Sequence, residues 1–137
     1  MPIINTQDIP VTQSDMMNND HKEFVESLNK LMELVAILNN DKCIDTALEQ
    51  LLTHTEEHFA KEESLMIQAN FPPYPVHKNE HERVLKILRE AINHWHLNRD
   101  RESLQPLLQE LLPEWFMQHV STMDKITAQF IQQAENQ

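Results

Sequence analysis

The chain contains no glycine. Glycine is the default residue for tight and left-handed turns, so few hairpins are expected. Its absence also excludes a phosphate-cradling loop, and with it a P-loop or dinucleotide fingerprint. Cysteine is nearly absent, and the single Cys43 can form no internal disulfide. It fits a reducing compartment and a packing role rather than a nucleophile. Positive charge is scarce: 11 Lys and Arg face 22 Asp and Glu, a net charge of −11 with His neutral. No basic cluster interrupts this solvated acidic surface, which argues against nucleic acid or an anionic membrane as partner. No apolar run reaches membrane-spanning length. The first residues lack a basic n-region and an apolar h-region, so no signal peptide is expected. The expected location is cytoplasmic, and a sensory role would need a separate partner.

What is abundant is Leu, Glu, Gln, Met and Ala, all good helix formers. The length of 137 residues suits one domain with a real core. The expected class is all-α. Residues 1–17 hold Pro2 and Pro10, show no helical period, and read as an extended arm lying on a domain of residues 18–137. Asn18, Asn19 and Asp20 are cap-type residues. After them His21, Phe24, Val25, Leu28, Leu31, Met32, Val35 and Leu38 follow the three-four spacing of one helix face, ended by Asn39-Asn40-Asp41. A second face runs Ile44, Leu48, Leu51, then Thr55, His58, Glu62, Leu65 and Met66, until Phe71-Pro72-Pro73-Tyr74-Pro75 breaks it. A third carries His77, His81, Val84, Leu85, Leu88, Ile92 and Trp95. The fourth runs Leu104, Leu107, Leu108, Leu111, Leu112, Trp115, Phe116, His119, Val120 and Met123 to Thr127, Phe130 and Ile131. Pro106 suits a first turn, but Pro113 removes a hydrogen bond from within the pattern and predicts a kink or break.

Four helices with short connections predict an antiparallel up-down-up-down bundle. The starts of helices one and three then meet the ends of two and four. His21, His58, Glu62, His77, His81, His119 and Asp124 therefore fall at one end, at similar depth. His58 with Glu62, and His77 with His81, are four apart and point roughly the same way. Burying five imidazoles and two carboxylates without partners is costly. Seven donors are too many for one tetrahedral zinc. They suit two metals bridged by the carboxylates.

Asn19-Asp20-His21, the run His58 to Met66, Tyr74-Pro75 before His77 and His81, and Trp115 to His119 to Asp124 together resemble the hemerythrin family. The likeness is to its bacterial single-domain members and spans most of the chain. It implies a non-haem di-iron site that binds O2 reversibly, in a carrier, store or sensor rather than an enzyme. By family position His77, His81 and His119 would hold one iron, and His21 and His58 the other. Glu62 and Asp124 would bridge them beside an oxo or hydroxo group. O2 would take the open position on the second iron, where nitric oxide or small anions are further candidates. Phe24, Phe59, Trp115, Phe116 and Val120 would line an apolar O2 pocket. Phe116 stands where relatives often carry a smaller aliphatic residue, and the arm lacks a Trp common near their start. The alternative is a di-iron enzyme acting on O2, peroxide or nitric oxide. Five neutral imidazoles with only two carboxylates make a weakly anionic set, which favours carrying O2 over activating it.

Three histidines stand outside this set. His54 makes a rival pair with His58 but leaves Glu62 unexplained. His94 and His96 are expected to face solvent, and Glu63 to act behind the ligands or at the surface. The spacing of His119 and Asp124 is the severest geometric demand. Five residues carry a regular helix about 140° past a full turn, so the pair should not share a face. A single π-type turn there, or an approach of Asp124 from the helix flank, is predicted.

Overall fold

In the computed structural model, residues 4–37 and 40–136 are described. Leu38 and Asn39, assigned above to the end of the first helix, lie outside them, as do residues 1–3 of the arm and Gln137. The described residues form a four-helix bundle. Its first three rods are α1 (Asp15–Ala36), α2 (Asp41–Gln68) and α3 (Tyr74–Asn98). The fourth is composite: a wide π turn over Pro106–Leu111, α4 (Leu112–His119), a second π turn over Val120–Asp124, and α5 (Lys125–Glu135). Neighbouring rods run antiparallel. Asp20 and His58 meet from the start of α1 and the latter half of α2, while Trp95 near the end of α3 meets Asp45 at the start of α2.

The first helix begins earlier than its cap-type residues suggested. Ser14 is the N-cap and accepts from the Met17 amide at 3.2 Å. Asn18 lies inside the helix and serves the arm instead. It accepts from the Thr12 amide at 2.8 Å and donates to the Thr12 carbonyl at 3.0 Å. Farther out, Asn29 donates to the Ile4 carbonyl at 2.9 Å, and Ile4 is buried in the core. Among its described residues the arm contains one 3-10 turn, Thr6–Asp8.

Without glycine, other residues take the left-handed positions that close α2 and α3. Asn70 has φ 54° and Arg99 φ 53°. Each costs about 1–2 kcal/mol. At Arg99 contacts offset that cost: the guanidinium lies 5.3 Å from the Trp95 ring centre and donates to Asp45 at 2.6 Å. Cys43 is exposed near the start of α2 and does not pack. His94 and His96 are exposed, as the pattern predicted.

At Pro113 the fourth rod changes from its π turn to α4, with right-handed helical angles kept at Leu111 and Leu112. A proline ring clashes with the carbonyl four residues back. The π turn ends just before it, with the Leu112 amide bonded to the Leu107 carbonyl five residues back. Widening moves the backbone that would collide. It also shifts the apolar stripe, so Leu111 is exposed while Leu112 is buried.

Two apolar clusters fill the bundle. The larger includes Phe24, Leu28, Leu48, Leu51, Leu88, Trp95, Leu108, Phe116 and Val120. The smaller joins Met17, Met66, Phe71, Ala128 and Ile131. On α1, α2 and the fourth rod, the histidines and carboxylates of interest lie between residues of these two clusters.

Candidate metal centre

Each polar side chain reaches this layer because it sits on a core-facing stripe. His77 and His81 are one turn apart at the start of α3, with ring centres 4.5 Å apart. From the fourth rod, His119 brings its Nε2 to 3.2 Å from His77 Nε2. Asp124 Oδ1 lies 3.1 Å from both of those nitrogens. His77, His81, His119 and Asp124 thus form one group whose donor atoms lie within 4.8 Å of one another. His21, Glu62 and Asp124 form a second, with His21 Nε2 2.9 Å from Asp124 Oδ2. Asp124 belongs to both.

The π turn over Val120–Asp124 makes this sharing possible. A ring closed at five residues puts Asp124 one turn beyond His119 on the same side. The five-residue spacing predicted such a turn. His58 departs from the expected set. It is buried in the same layer, but its Nε2 lies 3.4 Å from Asp20 Oδ1 and 3.4 Å from Glu23 Oε2. It joins those two carboxylates rather than the group of His21, Glu62 and Asp124. His54 belongs to none of the groups, although its ring centre is 6.2 Å from that of His58.

Hydrogen bonds from behind hold two of the imidazoles. His77 Nδ1 pairs with Thr127 Oγ1 at 2.9 Å, and His81 Nδ1 donates to the Glu63 carboxylate at 3.1 Å. The second leaves the His81 Nε2 lone pair facing inward. Burial, then the nearby His77 and His119 rings, push the His81 pKa down to about 2. His81 is therefore a neutral donor at any ordinary pH. Burial, then the charges of Asp124 and Asp20, push Glu62 well above the usual carboxylate range. Burial also pushes Asp124 up, but hydrogen bonds from His119, His21 and His77 outweigh it and hold Asp124 well below that range. Burial lowers His58, opposed by the charges of Asp20 and Glu23.

The donor set suits a cation. Glu62 Oε2 and His81 Nε2 are buried with no hydrogen-bond partner among the described residues. Leaving such atoms unmet costs about 1–3 kcal/mol each. A first-row transition metal bound to imidazole nitrogen and carboxylate oxygen removes that cost.

A cavity of about 20 Å³ adjoins these groups, bordered by Asp20, His21, Thr55, His58, Glu62, His119 and Asp124. Its apolar wall is Phe24, Phe59, Trp115 and Phe116. That volume holds about one water-sized molecule. The wall is built from stacked rings. Phe24 and Phe116 stack at 4.8 Å, Phe59 lies 3.8 Å from the His81 ring, and Trp115 lies 4.6 Å from the His119 ring. Trp115 Nε1 is anchored to Glu80 at 2.8 Å. Val120, expected in this wall, is fully buried in the larger apolar cluster and does not border the cavity.

Some contributors were not singled out from sequence. Thr127 appeared only as a polar break in an apolar stripe, which was the available signal. Asp20 was read as a cap residue, yet inside α1 it is buried against the cavity. Thr55 satisfies itself by donating to the Leu51 carbonyl at 2.7 Å. Glu80 carries no pattern that marks it.

A family model described as the hemerythrin HHE cation-binding domain matches residues 12–131. A bacteriohemerythrin of Aquifex aeolicus (strain VF5) is 33% identical over 113 residues, 82% of this chain and 86% of that protein. One from Ralstonia nicotianae is 32% identical over 133 residues, covering 97% of this chain and 92% of its own. A myohemerythrin of Sipunculus nudus is 32% identical over 77 residues, 56% of this chain and 57% of that protein. Since the matched region takes in every helix that carries the buried histidines and carboxylates, the chain belongs to the hemerythrin HHE cation-binding domain family.

Proposed function

We propose that this protein binds O2 reversibly at a non-haem pair of iron ions, as a carrier, store or sensor. The observation that carries the reading is two donor groups joined through Asp124 beside a one-molecule apolar cavity. In this reading His77, His81 and His119 hold one ion, and His21 and His58 the other. Glu62 and Asp124 would be shared by the two ions, beside an oxo or hydroxo group. For His58 this requires its side chain to turn away from Asp20 and Glu23. When bound, the iron pair supplies the electrons that reversible O2 binding draws on.

The chain's own groups prepare that chemistry. Thr127 and Glu63 hold two imidazoles from behind. Burial keeps His81 from competing for a proton. Phe24, Phe59, Trp115 and Phe116 exclude bulk water from the cavity, which protects a bound ligand from protonation and loss. The acidic surface offers no basic patch for nucleic acid. No described helix is long and apolar enough to cross a membrane. An exposed, unpaired Cys43 is compatible with a reducing cytoplasm.

The test is iron content together with an optical spectrum, taken anaerobically, after O2, and after O2 is removed. A charge-transfer band that appears and then disappears supports the reading. Irreversible bleaching with product formation would move the protein to the enzyme class. Absence of iron after purification from iron-replete cells would remove the centre altogether.

A further inference from the structure

The cavity has a polar side that the two donor groups do not use. Asp20 immediately precedes His21 and is only 7% exposed. Its Oδ2 is buried without a hydrogen-bond partner among the described residues. Its Oδ1 lies 3.4 Å from His58 Nε2, and Glu23 Oε2 reaches the same nitrogen at 3.4 Å. One donor atom from each of Asp20, Glu23 and His58 lies within 4.8 Å of the other two. Lys61 approaches Asp20 Oδ1 only at 4.0 Å and is half exposed, so it leaves Oδ2 unmet. A buried, unmet carboxylate is costly unless a cation joins it. Two carboxylates and one imidazole are a donor set for a divalent first-row metal.

The placement of this trio is graded. The Glu23 side chain is 58% exposed, while Asp20 and His58 border the cavity shared with His21, Glu62 and Asp124. The trio therefore runs from solvent to the centre. We propose that Asp20, Glu23 and His58 form a docking site where a divalent metal ion arriving from solvent stops before it enters the second position of the centre. This rests on the two-metal reading above. The two carboxylates neutralise the ion's charge while it sheds water, so it need not cross the apolar wall as a bare cation. His58 serves both places. It holds the ion at the docking site, then turns inward with it, and Asp20 and Glu23 stay behind. The ion keeps its oxidation state throughout. Lys61 is displaced while the docking site is filled.

The experiment mixes metal-free protein anaerobically with cobalt(II), whose visible bands report its ligand field. Uptake is followed by stopped-flow absorbance and the final content by elemental analysis. Glu23→Gln changes an exposed residue, and Asp20→Asn keeps side-chain shape; circular dichroism verifies the fold of both. The expected result is that each variant slows uptake of the second equivalent by about tenfold or more, the scale of electrostatic steering. The first equivalent enters at the wild-type rate, and Glu23→Gln still ends with two ions per chain. Wild-type rates for the second equivalent in both variants would overturn the docking site alone. So would an Asp20→Asn protein that holds one cobalt at equilibrium, because Asp20 would then be a ligand of the resident centre. A wild-type protein that holds only one cobalt would remove the two-metal reading and the docking site together.

Discussion

Phe116 gives the sharpest handle on the cavity. It is almost fully buried, stacks on Phe24 at 4.8 Å with ring planes 15° apart, and meets the His21 ring edge-on at 5.6 Å. Phe116→Ala removes the ring from a cavity that now measures about 20 Å³. The stability loss expected for such a truncation is about 3–5 kcal/mol. About 0.5–1.5 kcal/mol of it belongs to the aromatic pair with Phe24. A chain of this length has about 7–20 kcal/mol in total, so the variant folds with a reduced margin. If the neighbours do not collapse, the enlarged space admits several waters in place of one. Urea denaturation measures the first effect. Stopped-flow binding of azide to the oxidised, iron-loaded protein measures the second. Azide should bind about tenfold faster, equivalent to about 1.4 kcal/mol off the barrier. The oxygenated form should also oxidise faster, and Phe116→Leu should fall between the two. If stability drops as expected while both rates stay at wild-type values, Phe116 is ordinary core and small ligands do not pass it.

Other predictions concern the polar layer. In the metal-free protein Glu62 has a folded pKa raised above its ordinary 4.5, so the folded state keeps a proton that the unfolded chain releases. Its contribution is fully present below that ordinary value and is lost as pH rises through the raised folded value. Metal-free Glu62→Gln should therefore lose less stability than wild type between acid and alkaline pH while binding less metal; parallel urea-melt profiles would refute this. Thr127→Val removes the hydroxyl bonded to His77 without changing shape and should weaken metal affinity about 10–100-fold, measured by chelator competition. Unchanged affinity would show that the hydrogen bond does not orient the ring. Deleting Thr122, exposed within the second π turn, leaves His119 and Asp124 four residues apart. A regular helix then keeps them on one face, since four residues turn about 400°. The deletion should retain full metal content, and its complete loss would contradict the insertion-like role of that turn.

The fold was legible because helix periodicity is a local property. The stripes from His21 to Val35, Ile44 to Met66, His77 to Trp95 and Leu104 to Ile131 specified four helices, and short connections specified antiparallel neighbours. Local reading misplaced the first helix start, because Asn18 resembles a cap yet bonds to Thr12 of the arm. It marked Pro113 as a kink or break, and there a wide turn gives way to α4.

The sequence by itself determined the bundle, the common depth of five histidines and two carboxylates, and the unusual turn that His119 and Asp124 require. Backbone rise and rotation per residue carry all of that. Only the tertiary structure decided how the side chains divide. It turned His58 toward Asp20 and Glu23, drew Asp20 into the cavity, left Val120 out of its wall, and set Thr127 and Glu63 behind the imidazoles. Those outcomes depend on which residues of different helices meet, a choice made by packing and charge across the bundle.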